Sequence, residues 1–267
     1  MSYEVTRFAG SIPALYDRHL GPVLFEPYAR DLAARLPSDA KRVLEIAAGT
    51  GRVTRQLLAQ LPADAQLVAT DLNEPMIDEA RRQLGGDPRV TWQTADAQAL
   101  PFPDGGFDAV ACQFGLMFMP DKLLAMREMR RVLRPGGTLL LNVWDALELN
   151  SATLVLHTLA IDTFPEDPPL FFATPFSMTD APVLDALARE AGFRSVRIDT
   201  VRKTAEAESA SHLATGLVRG NPVWNQLVDR GVDAPAFEAA VATALAREFG
   251  DSPCRSPLSA HVLTAVV

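Results

Sequence analysis

The stretch VLEIAAGTGRVT, Val43 to Thr54, places small residues where a backbone can close around a ligand. Val43, Leu44 and Ile46 read as a short apolar strand, and Gly49 and Gly51 bracket a turn. Val53, Leu57, Leu58 and Leu61 then recur at helical spacing. Such a strand-to-helix turn aims free backbone N–H groups and the positive end of a helix dipole at a bound group. That geometry suits nucleotides in general. The dinucleotide fingerprint G-x-G-x-x-G adds a third glycine for close helix–strand packing. Counted from Gly49, the third position is Thr54; counted from Ala47, the first and third positions are Ala47 and Arg52. Neither frame fits. No Tyr-x-x-x-Lys pair lies nearby either, so a nicotinamide-dependent reductase is disfavoured. Asp71 ends the next apolar run, twenty positions after Gly51. A carboxylate there accepts from ribose hydroxyls in NAD or any other adenosine ligand. Capping the following helix would also suit it, although Asn73 is better placed.

These residues need a frame that brings strand ends together. From Lys41 to Trp144 apolar strands alternate with helices: strands at 42–47, 66–71, 89–95, 107–114 and 138–144, helices at 51–61, 74–84 and 121–133. That alternation indicates an α/β fold with a parallel sheet covered on both faces. Ahead of it, residues 1–40 read as an N-terminal helical cap in two pieces, broken near Gly21-Pro22. Beyond Trp144 come an apolar, proline-punctuated insertion at about 148–176, a helix at 179–191 and a strand, FRSVRIDTV. A mainly helical insertion at about 205–250 and the closing strand PLSAHVLTAVV complete residues 41–267.

Bulk properties narrow the function. The formal charge of −8 disfavours a nucleic-acid partner, because phosphate binding wants a basic face. Cys112 and Cys254 are far apart and lack metal-type spacing, so neither a disulfide framework nor a metal site is expected. No signal-like start or membrane-length apolar run is present; a cytoplasmic protein acting on a small molecule is the expectation.

Taken together, acidic-x-small-x-Gly-x-Gly at 45–51, strand-end Asp71, Asp96-Ala97 after the third strand and LRPGGTLLL at 133–141 resemble the class I S-adenosylmethionine (SAM)-dependent methyltransferases. The likeness is greatest to the small-molecule branch that includes the ubiquinone and menaquinone C-methyltransferases, and covers about residues 40–145, the late helix and the two terminal strands. It implies a Rossmann-like, seven-stranded, mostly parallel sheet with helices on both faces and a reversed final strand. It also implies SAM as cofactor, S-adenosylhomocysteine (SAH) as product, and methyl transfer to O, N, S or C of a small, partly hydrophobic molecule.

By that resemblance Ala47, Gly49 and Gly51 would face the methionine part of SAM, and Glu45 would orient the turn. Asp71 would hold the ribose diol, with Leu72 and Met76 packing on adenine. Asp96 would accept from the adenine amino group, and the Ala97 N–H would donate to the ring. Gln113 and Phe114 would lie near the methionine end, and Tyr16 resembles the aromatic that caps the cofactor. The family's first glycine is Ala47 here, which implies that its backbone needs no glycine-only conformation. His19, in the segment expected to fold over the cofactor, is the candidate base. Phe171, Phe172, Phe176 and Trp224 are candidates for a substrate pocket, and burying the insertion would suit these aromatics equally. A SAM-binding protein without catalysis has the same signature.

Overall fold

The computed structural model describes residues 8–267. Strands β1 (Arg42–Ile46), β2 (Gln66–Asp71), β3 (Val90–Thr94), β4 (Phe107–Gln113), β5 (Leu133–Trp144), β6 (Ser195–Ala207) and β7 (Cys254–Val266) form one sheet, in the order β3-β2-β1-β4-β5-β7-β6. β1 pairs in parallel with β2 and β4, β2 with β3, and β4 with β5. β7 runs antiparallel to both β5 and β6, so it alone is reversed.

Alternation along the strands builds two cores. Val43, Leu67, Ala109, Ala111 and Leu140 face one layer, with Leu32, Val53 and Leu57 from the helices on that side. Their neighbours Leu44, Val110, Cys112, Leu139 and Leu141 face the other, with Met126, Met129 and Leu184. A strand buried on both faces needs apolar side chains at consecutive positions, and this is why VLEI and AVAC read as continuous runs. Cys112 is fully buried, and burial pushes its thiol up to about 12. It behaves as a small apolar side chain.

Between the strands lie α2 (Arg52–Gln60), α3 (Glu74–Leu84) and α4 (Lys122–Val132). The later helices are α5 (Ser151–Thr163), α6 (Ala181–Glu190), α7 (Ala210–Arg219), α8 (Val223–Asp229) and α9 (Ala234–Phe249). β6 reaches Ala207, so the segment expected to be helical from 205 begins as strand.

The leading segment departs from expectation more clearly. It is one continuous helical run, α1: an α-turn Ile12–Leu15, a π-helical stretch Tyr16–Phe25 and an α-helix Glu26–Ala33. Pro22 has no N–H to give and would clash with an α-helical carbonyl. The wider π-turn, in which the Glu26 N–H donates to the Gly21 carbonyl, absorbs it without a break. Residues 1–7 of the expected cap lie outside the described residues.

Candidate active site

β1 is flanked by β2 on one side and β4 on the other, so the chain turns opposite ways from their carboxyl ends. Such a switch point opens a crevice. A cavity of about 520 Å³ occupies it. Tyr16, Ala47, Gly49, Asp71, Leu72, Met76, Asp96, Ala97, Gln113 and Phe114 all line this cavity, which brings together residues spread over a hundred positions.

Asp71 organises the turn. Its buried carboxylate accepts from the Gly49 N–H at 2.9 Å through Oδ2 and from the Asn73 N–H at 2.9 Å through Oδ1. Asn73 is the N-cap residue of α3, yet its side chain makes no capping bond. Burial raises the Asp71 pKa against the lowering effect of these backbone donors. Leu72, half exposed at 53%, and Met76 supply an apolar wall beside it. An exposed leucine next to a carboxylate and a glycine turn offers one polar and one flat apolar surface, the two that an adenosine needs. Asp96 closes the far end as an Asx-turn, its carboxylate accepting from the Gln98 N–H at 2.8 Å. The cavity therefore fits SAM in size and in donor set.

Two expected members stand elsewhere. Glu45 is 1% exposed and accepts from the Thr54 hydroxyl at 2.6 Å. Burial pushes its carboxyl up to about 8. It braces the turn from below and does not line the cavity. Gly51, at φ +82°, caps α2, and an added Cβ there would run into Leu84 on α3. Its smallness serves helix packing. Ala47 corrects the reading of its backbone: φ is +55°, within the left-handed region that glycine favours. Its methyl fits because Gly115 opposite has no Cβ; one would lie 2.5 Å from the Ala47 Cβ.

A second, smaller cavity of about 90 Å³ adjoins the first. Phe171, Phe172 and Phe176 line it, and Tyr16, Phe114 and Phe118 line both. Trp224 lines neither; the Arg219 guanidinium lies 5.4 Å from its ring centre. His19 also lines neither. Its ring packs at 4.2 Å on His212, and burial together with that neighbour lowers its pKa. The geometry separates His19 from the reacting region, and it is not retained as a base.

Several contributors were not singled out from sequence. Trp144, at the carboxyl end of β5, stacks on Phe114 with ring centres 3.8 Å apart. Its place at a strand end was the available signal. Asn142 holds Phe114 through a side-chain bond to its N–H at 3.0 Å. Arg52 gives two hydrogen bonds to the buried Asp17 carboxylate, at 3.0 and 2.8 Å, and a third to its carbonyl at 2.7 Å. Gly21 lets the guanidinium cross α1, since a Cβ there would sit 2.6 Å from Arg52 Nε. The pair therefore pins α1, and Tyr16 with it, onto the helix of the glycine turn.

Residues 43–137 match the methyltransferase domain family. Over these residues the chain is similar to SAM-dependent methyltransferases. The ubiquinone/menaquinone biosynthesis C-methyltransferase UbiE of Hahella chejuensis is 40% identical over 125 residues, 46% of this chain and 48% of that protein. The chain thus spans about half the length of the curated relatives it matches. The fold recurs in phosphoethanolamine N-methyltransferase 2 of Haemonchus contortus, solved with SAH, at a TM-score of 0.61 and 15% identity. That likeness covers 95% of this chain and 56% of the other. It recurs in the [4+2]-cyclase SpnF at a TM-score of 0.58 and 19% identity, covering 99% and 93%. At such identities the shared feature is the fold, and the site has to carry the function.

Proposed function

We propose that this chain transfers the methyl group of SAM to a small, partly hydrophobic acceptor held in the aromatic cavity. The observation that carries this reading is the shared wall. A nucleotide-sized cavity at the switch point and a small aromatic one meet at Tyr16, Phe114 and Phe118. A sulfonium is already activated, so alignment of nucleophile, methyl and sulfur in a dry site does most of the work, supplying about 7–11 kcal/mol.

In this reading Asp71 holds the ribose diol, and Leu72 and Met76 flank adenine. Asp96 and the Ala97 N–H read the adenine edge, and Ala47, Gly49 and Gln113 face the methionine end. Glu45 acts through Thr54 and the turn, and Gly51 through packing. Residues 1–40 serve as a cap, and the stretches at 148–176 and 205–250 as insertions that enclose the acceptor. The curated relatives named for C-methylation of quinone precursors support a small-molecule acceptor. Among the described residues no helix is long and apolar enough to cross a membrane, and the proposed place of action is the cytoplasm.

The test is incubation with SAM carrying a labelled methyl group and a metabolite extract. Label appearing in a small organic product together with SAH supports transfer. SAH-tight binding with no labelled product would favour a binding protein, and NADH affinity equal to that for SAM would overturn the cofactor assignment.

A further inference from the structure

The smaller cavity is walled by rings in near-continuous contact. From Phe118 the sequence of neighbours is Phe8 at 6.3 Å, Tyr16 at 5.9 Å, Phe25 at 4.6 Å, Trp144 at 6.1 Å and Phe176 at 6.4 Å. All six line the same space of about 90 Å³, well below the roughly 300–1,000 Å³ of a pocket for a drug-sized ligand. None of the described lining residues carries a formal charge. An anionic acceptor therefore finds no cation to hold it.

Aromatic faces carry negative charge density, and several of them around one small space form a box for a cation without a counter-ion. Tyr16 is the one described lining residue with an ordinary titration. Burial raises its phenol further, with Asp71 and Asp17 adding to the rise, so it keeps its proton at neutral pH. The polar groups that remain, on Asn150, Thr153 and Asn221, cannot accept a proton at that pH either. An acceptor that must lose a proton as it attacks is poorly served here.

We propose that the aromatic cavity selects a small acceptor that attacks through an uncharged amine nitrogen and holds the methylated ammonium product. The proposal rests on the methyltransferase reading above. In the step, the nitrogen lone pair forms the new N–C bond while the C–S bond breaks and its electron pair returns to sulfur. The positive charge moves from the sulfonium to nitrogen, leaving neutral SAH. The amine enters as the free base, having given its proton to bulk water before it binds, so no protein base is needed as the bond forms, and a primary or secondary amine releases a further proton to water afterwards. The charge arrives in the ring-lined space as the transfer proceeds, so the rings attract the transition state more than the neutral amine.

Choline and its uncharged carbon isostere 3,3-dimethyl-1-butanol are the probes, titrated calorimetrically into the SAH-loaded protein. SAH is used because the SAM sulfonium would repel the choline cation. Choline is expected to bind about 10-fold more tightly than the alcohol, in line with cation–π attraction over several rings. Phe176→Leu, in a ring that lines the smaller cavity alone, is expected to remove most of that preference while leaving SAH affinity within about 2-fold. If Phe176→Leu does not fold, Phe25→Leu, another half-buried ring that lines the smaller cavity alone, serves the same comparison. Equal or tighter binding of the alcohol, or binding of neither probe, would overturn the proposal while leaving the methyltransferase reading intact. Failure of SAH itself to bind would instead remove the reading on which it rests.

Discussion

Replacing Gly51 by alanine separates a packing glycine from a ligand-facing one. Gly51 sits at φ +82°, where an L side chain costs about 1–2 kcal/mol. Its new methyl would run into the Leu84 side chain and lie 3.2 Å from the Ala80 Cβ and 3.3 Å from the Trp92 ring. Overpacking of that kind costs about 1–3 kcal/mol. The sum, about 2–5 kcal/mol, corresponds to a Tm lowered by roughly 10 °C in a chain of this size. Gly49→Ala is the control. At φ +57° it bears the same backbone cost, but its methyl meets only the Met76 terminal carbon at an ordinary 3.6 Å, on the wall of the larger cavity. It should lose about 1–2 kcal/mol of stability and the larger share of SAH affinity. Thermal unfolding without ligand, and SAH titration well below each Tm, measure the two effects. If Gly51→Ala kept its Tm and lost more SAH affinity than Gly49→Ala, the roles assigned to the two glycines would be reversed.

Asp71→Ala should weaken SAH binding about 10- to 150-fold, matching about 1.5–3 kcal/mol for a bond to a charged acceptor, and Asp96→Ala should cost less because the Ala97 N–H remains. Equal affinities for both variants and the parent would displace the adenosine. Arg52→Ala strands the buried Asp17 carboxylate and should cost about 3 kcal/mol of stability; adding Asp17→Ala should recover part of it, and a simple sum of the two losses would deny the coupling. For Glu45, the folded pKa of about 8 lies above its unfolded value, so the unfolded state gives up this proton first as pH rises. Its contribution to stability is thus retained below about pH 4.5, lost progressively toward pH 8, and amounts to a few kcal/mol, on the order of the shift itself. Glu45→Gln should therefore be increasingly more stable than the parent between pH 5 and 8 in paired denaturant titrations, and a constant difference across that range would refute the buried acid.

The sheet was legible because each parallel strand is buried on both faces and must be apolar at consecutive positions, as in VLEI and AVAC. Asp71 and Gly49 were legible because a strand-end carboxylate and a turn glycine act locally, within one β-turn-α unit. The π-turn at Gly21-Pro22 was not, since glycine and proline normally end a helix. What holds the helix together there is Arg52, thirty positions away in sequence, which fills the space above Gly21. Trp224 and His19 were misplaced for a related reason. An aromatic or imidazole in an insertion has no periodic partner to say which way it faces, and packing on Arg219 and His212 decides it.

Among the described residues the non-glycine positions with positive φ are Ala47, at +55°, which lines the larger cavity, and Phe114, at +51°, which stands where the two cavities meet. Continued as a strand, β4 would send the side chains of Gln113 and Phe114 to opposite faces. A left-handed residue at the strand end turns the chain, so that both side chains reach the crevice. The cost, about 1–2 kcal/mol at each position, is offset by contacts that only this conformation allows. The Phe114 N–H donates to the carbonyl and side-chain oxygens of Asn142 at 3.1 and 3.0 Å, and its ring stacks on Trp144 and meets Tyr28 at right angles. Ala47 leans into the space that Gly115 leaves open, so the residue after Phe114 is small for the sake of the turn after β1. Local strain of this kind persists where surrounding structure over-determines it. Here it fixes the wall of the larger cavity at Ala47 and the boundary between the two cavities at Phe114, which is the alignment that the proposed methyl transfer requires.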